Sequence, residues 1–392
     1  RIASQLKLDL LAFRLKNALR ENDIGFRGQP VDNGVSVVEC LEAIEPSFRS
    51  DPPVRRPADN LRRGRGLALG VMPIGLTAGT PPVTVNAYLG VDGLLTLAVN
   101  TSDLGQGART VFTQLAAEIL GISESNVSAT LADSSLYPDC AGSGASQVTY
   151  FTGNAIVRAL EKMKQSALEV AAELWGADPA ELTFQDGRVH AADSSQSLSL
   201  SEIAVEAARQ GRGMTTSGVY QAQTWLPDEE TGLGRPYDEY GYAASWAEVE
   251  VDIETGQVTV KRLVSAVDAG RAINPRAVEG QIEGGAAMNM GYALTEDLYP
   301  PFQGGQHAAS GLHEYLIPTA MDVPPVQSII VEKASRNGPL GAKGLGEITA
   351  TMIAPAIANA VAAATGVFPD RLPITSERLL ALLKDRAQGG EE

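Results

Sequence analysis

Two cysteines in 392 residues, Cys40 and Cys140, are too few for a disulfide framework. Nor can they hold an iron–sulfur cluster, which takes about four thiolates, so any such cluster working with this chain belongs to another polypeptide. Histidine is almost as scarce. His190, His307 and His313 lack zinc-ligand spacing to a cysteine or to a second carboxylate motif, so they are expected at the surface or in packing, and no protein-only metal site is expected. Positive charge is in deficit as well: a formal net charge of -16 argues against a general nucleic-acid surface, which needs clustered Lys and Arg. The local exception, Arg55, Arg56, Arg62, Arg63 and Arg65, reads as a solvated segment or a subunit contact. No apolar run approaches the length of about 20 residues that a bilayer requires, and no signal peptide is visible at the start. The expectation is a soluble, cytoplasmic protein.

Aromatics make up only 5% of the chain, against 40 glycines and 22 prolines. That balance implies tight turns and close backbone approaches, as in a ligand cradle built from loops. With 44% hydrophobic and 20% charged residues, the chain can bury a sizeable core in two or three compact units.

Periodicity predicts a helix from Gln5 to Asn22, a second from Ser36 to Ile44, and a connector from Pro46 to Arg65. Strands are expected at Gly66 to Val71, Thr84 to Leu89 and Leu94 to Asn100, then a Gly-rich loop and the helix Thr110 to Leu120. A long Ala-rich helix spans Gly153 to Leu174, and another runs from Ser201 to Gln210. The first outline then recurs: strands Ala247 to Ile253 and Gln257 to Ala266, the loop Asp268-Ala-Gly270, and the helix Pro275 to Leu294. The last large helix is expected over Ala350 to Thr365, with Pro355 in its first turn and Gly366 as its C-cap. These patterns predict an α+β fold of two related lobes with mixed or antiparallel sheets: residues 1–65 as a helical segment and connector, 66–215 as the first lobe, and 216–392 as the second.

Three loops could hold a ligand. Gly105-Gln106-Gly107 lets backbone approach closely and leads into a helix start whose N–H groups could face an anionic or sulfur-rich partner. Around Ser143, Ser146 and Thr149, hydroxyls gather at the entrance of the next helix, where a phosphate could bind, although by itself a Ser-rich capping loop is the simpler explanation. Gly341, Gly344 and Gly346 force an unusual backbone path and deliver the carboxylate of Glu347 to a third helix entrance, where its simplest role is a cap. Trp225, Tyr237, Tyr240 and Tyr242 are expected to pack.

Taken in order, Gly105-Gln-Gly107, Gly144-Ala-Ser-Gln-Val-Thr-Tyr150 with Gly153-Asn-Ala155, Ala247-Glu-Val-Glu-Val-Asp252, Asn274-Pro275, Gln281-Ile-Glu-Gly-Gly285 and Gly341-Ala-Lys-Gly-Leu-Gly-Glu347 resemble the molybdenum subunits of the xanthine dehydrogenase family. The match extends over roughly residues 80 to 380, and Asp9-Leu-Leu-Ala-Phe-Arg-Leu-Lys-Asn17 resembles the helix joining that family's two molybdopterin domains. The resemblance implies the fold of the second molybdopterin-binding domain. It also implies a molybdenum–molybdopterin cofactor, in plain or cytosine-dinucleotide form, contacted by Gly105, Gln106, Gly107, Ser143, Ser146, Gln147, Thr149, Lys343 and Gly344. Glu347 becomes the catalytic base for transfer of a water-derived oxygen to an electron-poor carbon of an N-heteroaromatic compound or an aldehyde. Iron–sulfur and FAD centres are then expected on partner chains, beside an N-terminal molybdopterin-binding chain that completes the site.

Two departures qualify the resemblance. The family's upstream glycine-rich molybdopterin segments have no counterpart before Arg1, and Met288 stands where xanthine-type members have glutamine. Some members divide the molybdenum subunit in two, as nicotinate dehydrogenase does, and the sequence is similar to such a medium chain; a fragment of a single-chain subunit would look the same. The competing function is a non-catalytic cofactor-binding or assembly module with the same fold.

Overall fold

In the computed structural model, residues 2–25, 27–50, 53, 55–76, 81–131, 133, 142–191, 193, 196–297 and 311–389 are described. Cys140 and His307 lie outside them. Two four-stranded sheets share one plan. In the first, the hairpin Val83–Leu89 and Leu95–Val99 is followed by helix Ala108–Leu120 and then by strand Val127–Leu131, which lies parallel to Leu95–Val99. The second repeats this with hairpin Glu239–Asp252 and Val258–Asp268, helix Pro275–Leu294, and strand Val326–Val331 parallel to Val258–Asp268. A parallel return requires a crossover, and in both lobes the helix provides it.

Each sheet is completed by an outer strand antiparallel to the first hairpin strand, Thr215–Tyr220 in one and Leu61–Ile74 in the other. Here the lobe boundary expected from sequence is corrected. The strand at Gly66 to Val71, assigned by its position to the first lobe, is part of a 14-residue strand of the second sheet. Its glycines suit that place: a Cβ on Gly64 or Gly66 would lie 2.4 or 2.1 Å from backbone of helix Ile353–Thr365. In the first lobe Gly218 has the same function, since its Cβ would meet the Ala155 carbonyl of helix Gly153–Trp175 at 2.0 Å.

The sheets differ in what covers them. Val83–Leu89 alternates buried with exposed or half-buried residues, one face against helices and the other toward water. Glu239–Asp252 is buried almost throughout. Ala243, Ala247, Val249 and Val251 face Ile282 and Ile357, while Tyr242, Ala244 and Trp246 face Leu41 and Ile44 of helix Val37–Arg49. The N-terminal segment is therefore the second lobe's outer layer.

Helix Pro275–Leu294 starts where its signals say, with the Asn274 side chain accepting the Ala277 N–H and Pro275 in the first turn. Other boundaries moved. The helix expected over Gln5 to Asn22 is divided into Ile2–Gln5 and Leu10–Asn17, because the Asp9 carboxylate caps a new start at Leu11 and Ala12. Val37–Arg49 runs on through Pro46. Ile348–Thr351 and Ile353–Thr365 replace one final helix, with Pro355 in the first turn of the longer piece and left-handed Gly366 at its end. The segment Ile348–Thr365 has the length and apolar composition to cross a membrane, but over half of it is buried within the protein, against the second sheet. Among the elements without an expectation are one strand of the first sheet's crossover, one outer strand, one strand of the second sheet's crossover and a closing helix, Ser376–Gly389: Val127–Leu131, Thr215–Tyr220 and Val326–Val331 have five or six residues each, too short for a clear period.

The arginine cluster is divided between an exposed pair and the outer strand. Arg63 and Arg65 lie on the outer strand, paired with Glu250 and Glu248 at 2.7 Å each, and Arg65 also stacks over Trp246 at 4.8 Å; Arg55 and Arg56 are exposed. Tyr240 and Tyr242 pack as expected, whereas Trp225 is exposed.

Candidate functional site

The turn leaving the first hairpin is shaped by Asp103. Its Oδ1 accepts the N–H groups of Gly105 and Gly107 at 3.0 and 3.2 Å, and its Oδ2 accepts that of Arg109 at 3.1 Å. The helix-start N–H groups of Gly107 and Arg109, offered by the sequence to an anionic ligand, are thus taken by the protein's own carboxylate. Burial pushes the Asp103 carboxyl upward, but these three donors outweigh it and hold it below its ordinary value. Gly105 and Gly107 have φ of 105° and 80°, so the path itself demands glycine. Gln106 folds onto its own turn, its Oε1 accepting the Leu104 N–H and its Nε2 donating to the Ser102 carbonyl at 3.0 Å.

The second loop, 142–149, lies against the first: the Ser143 hydroxyl donates to the Ser102 carbonyl at 2.7 Å. Ala145 and Ser146 are left-handed, with φ of 51° and 52°, a conformation few non-glycine residues adopt. Gln147 is buried, its Nε2 donating to the Gly142 carbonyl at 3.3 Å. A π-helical turn, Val148–Thr152, then carries Thr149 into helix Gly153–Trp175; such turns recur at functional sites.

The third loop, 338–347, belongs to the second lobe and meets the second loop directly. A Cβ on Gly344 would lie 1.6 Å from the Ser146 carbonyl oxygen, so glycine is required there by loop-to-loop contact. Glu347 immediately precedes helix Ile348–Thr351 but its side chain does not cap it. Instead its Oε1 accepts the Ala145 N–H at 2.9 Å, its Oε2 accepts the Ser146 hydroxyl at 3.4 Å, and its own N–H donates to Ser146 Oγ at 3.1 Å. The carboxylate of one lobe is held by the turn of the other.

A cleft of about 470 Å³ lies between these loops. Gly105, Gln106, Ser143, Ser146, Gln147, Thr149, Gly344 and Glu347 all line it. Gly107 shapes the adjoining turn without lining it. Lys343 does not line this cleft but the smaller cavity beside it, with Gln106 and Thr149; its ammonium is fully buried, 2.7 Å from Asp268 Oδ2 and donating to the Gly34 carbonyl at 2.6 Å. Gln281 lines the cleft from helix Pro275–Leu294 and was not singled out as a site residue. Its sequence signal was the pair Gly284-Gly285 just after it; Gly285 lets the helix close on Thr349, whose Oγ1 would be 2.3 Å from a Cβ.

The walls suit a flat, hydrogen-bonding ligand. No atom lies within 4 Å of where a Cβ would stand on Gly105, Gly107 or Gly144, and the glutamine amides of Gln106, Gln147 and Gln281 offer both donors and acceptors. Among the described residues no cluster of three or more His, Cys, Asp or Glu could hold a metal ion. The residues lining the cleft include one carboxylate, Glu347, and neither histidine nor cysteine.

A family model described as the molybdopterin cofactor-binding domain matches residues 40–324. Among curated proteins, the chain is 31% identical over 407 residues to the 6-hydroxypseudooxynicotine dehydrogenase complex subunit gamma of Paenarthrobacter nicotinovorans, covering 98% of this chain and 49% of the relative. It is 30% identical over 395 residues to the xanthine dehydrogenase molybdenum-binding subunit of Escherichia coli O157:H7, covering 96% and 50%. Among solved structures, the aldehyde oxidoreductase of Desulfovibrio gigas superposes with a TM-score of 0.83 at 28% identity, covering 98% of this chain and 39% of that one. The chain spans about half the length of the curated relatives it matches.

Proposed function

Because the chain belongs to the molybdopterin-binding xanthine dehydrogenase family, we propose that it forms one wall of the active site of a molybdenum-dependent hydroxylase. The substrate class is an N-heteroaromatic compound or an aldehyde, oxidised at an electron-poor carbon with water as the source of oxygen. The carrying observation is that the Glu347 carboxylate lines a glycine-walled cleft together with three glutamines.

In this reading Gln106, Gln147, Thr149 and Gln281 hydrogen-bond the pterin, while Gly105, Gly107 and Gly344 let backbone come close and Ser143 braces the first two loops. The molybdenum cofactor, plain or as the cytosine dinucleotide, supplies the two-electron redox chemistry when bound. Glu347 is the general base. Its Oε1 is committed to the Ala145 N–H at 2.9 Å, so Oε2, the more loosely held oxygen, takes the proton from the attacking oxygen. The remaining wall and the electron path come from partners: an N-terminal molybdopterin-binding chain or segment, a 2Fe-2S subunit and an FAD subunit.

The test is Glu347→Gln in the purified complex. Turnover is expected to fall to background while molybdenum and pterin contents stay unchanged; sustained turnover would remove Glu347 from the base role. A complex that carries neither molybdenum nor pterin would favour the non-catalytic module instead.

A further inference from the structure

We infer that the Ala145–Ser146 turn is the positioning element for Glu347, and that the Ser146 hydroxyl serves this carboxylate rather than the cofactor. The inference rests on the reading of Glu347 as the base.

The backbone carries the first part of the argument. Two consecutive non-glycine residues with φ of 51° and 52° form a path that L-residues disfavour and that persists only where its surroundings enforce it. Two contacts enforce it here. The Gly75 N–H, at the end of strand Leu61–Ile74, donates to the Ala145 carbonyl at 2.8 Å, and on the other side the Ser146 carbonyl presses on Gly344 so closely that any Cβ would overlap it. The outcome of this path is specific: the Ala145 N–H points at Glu347 Oε1, and Ser146 Oγ lies within reach of both the Glu347 N–H and Oε2.

The hydroxyl carries the second part. Serine has one proton to donate. Directed at Oε2, it cannot also be donated to a pterin or phosphate oxygen, and one lone pair already accepts the Glu347 N–H. Ser146 therefore grips a single residue at two points, main chain and side chain, across the boundary between lobes. Base and brace come from segments about 200 residues apart, so the carboxylate is correctly placed only when the two lobes are correctly docked.

The experiment uses the intact complex, with nicotinate, hypoxanthine and benzaldehyde as probe substrates and a dye as electron acceptor. Ser146→Ala is expected to lower kcat about tenfold to a hundredfold, with KM, molybdenum and pterin contents unchanged. Ser146→Gly removes the hydroxyl but suits the left-handed backbone, and it should show the same split of kcat from KM without added strain. Molybdenum or pterin content falling in step with activity in both variants would make Ser146 a cofactor ligand and overturn the inference. Unchanged kcat in Ser146→Gly would overturn it too. Glu347→Gln, run alongside, separates the two readings: if it is inactive while the Ser146 variants are normal, only the positioning role fails, and if it is active, the base reading fails first.

Discussion

Asp103 and Asp268 occupy the same station in the two lobes, each at or just past the end of the hairpin's second strand, in an Asp-x-Gly turn. In both, Oδ1 accepts the glycine N–H two residues on, at 3.0 Å for Gly105 and 2.8 Å for Gly270, and both glycines are left-handed. Their other bonds differ. Asp103 is exposed and spends its remaining capacity on the N–H groups of Gly107 and Arg109. Asp268 is fully buried and takes the Ser36 hydroxyl at 2.6 Å, the Lys333 N–H at 3.1 Å and the Lys343 ammonium at 2.7 Å. The same turn borders an open cleft in one lobe and is sealed by the protein's own cation in the other. Covering decides which: helix Val37–Arg49 and the segment before it close the second sheet's outer face, and among the described residues no such layer closes the first.

If that contrast is right, breaking the buried pair must be the most damaging change. Asp268→Asn or Lys343→Met leaves one charge buried without its counter-ion, a loss of about 3–5 kcal/mol. The pair also ties residues 34–36 to the loop that carries Glu347, so the urea unfolding midpoint should fall and proteolysis near the N-terminus should rise. Replacing both partners together, Asp268→Asn with Lys343→Met, is expected to be milder than either alone, since an amide oxygen at position 268 still accepts the Gly270 and Lys333 N–H groups. A single variant as stable as the parent would show that the seal is not the ion pair.

The covered sheet should also be the pH-sensitive one. Glu239, buried under the N-terminal segment, accepts hydrogen bonds from Asn33 Nδ2 at 2.6 Å, Ser335 Oγ at 2.5 Å and the Tyr240 N–H at 2.9 Å. Burial, helped by the charge of Asp238, nevertheless pushes its carboxyl from the ordinary 4.5 up to about 7, with Lys343, Ser335 and the Tyr240 N–H pulling the other way. Between those two values the folded state binds more protons than the unfolded one. The contribution is therefore fully present below 4.5 and is lost as pH rises through about 7. One unit corresponds to about 1.4 kcal/mol, so the loss across the window is about 3 kcal/mol. Glu239→Gln should flatten the fall of Tm between pH 5 and pH 8; an unaltered slope would place the titration elsewhere.

How far these differences could be read in the sequence depends on the range of the interaction. Asn274-Pro275 starts its helix through contacts within one turn, and that start was legible to the residue. Glu347 stood out because three glycines precede it. The bonds that turn it to the cleft come from Ala145 and Ser146, 202 and 201 residues away, and have no local signature. The counter-ion of Lys343 is hidden for the same reason, since Asp268 lies 75 residues upstream. Of the strand Leu61–Ile74 only Gly66 to Val71 was visible, and it was placed in the first lobe, since alternation reports a face and never a partner.

The smallest effect, and the one that sharpens the comparison, belongs to Asp103. Asp103→Ala frees three backbone N–H groups at an exposed helix start, a loss of about 0.5–2 kcal/mol by analogy with other caps. Because its carboxyl is held below the ordinary 3.8, its contribution is complete above that value and disappears as pH falls through the folded-state pKa. The two lobes should thus respond to acid in opposite senses and in separate windows: the Glu239 layer tightens as pH falls from about 7 to 4.5, and the Asp103 turn loosens only below 3.8. Hydrogen exchange of the Gly105, Gly107 and Arg109 amides, compared at pH 3 and pH 5 after correction for intrinsic rates, reads the second directly. Protection that survives Asp103→Ala would mean that the cleft-side turn is held by something other than its carboxylate.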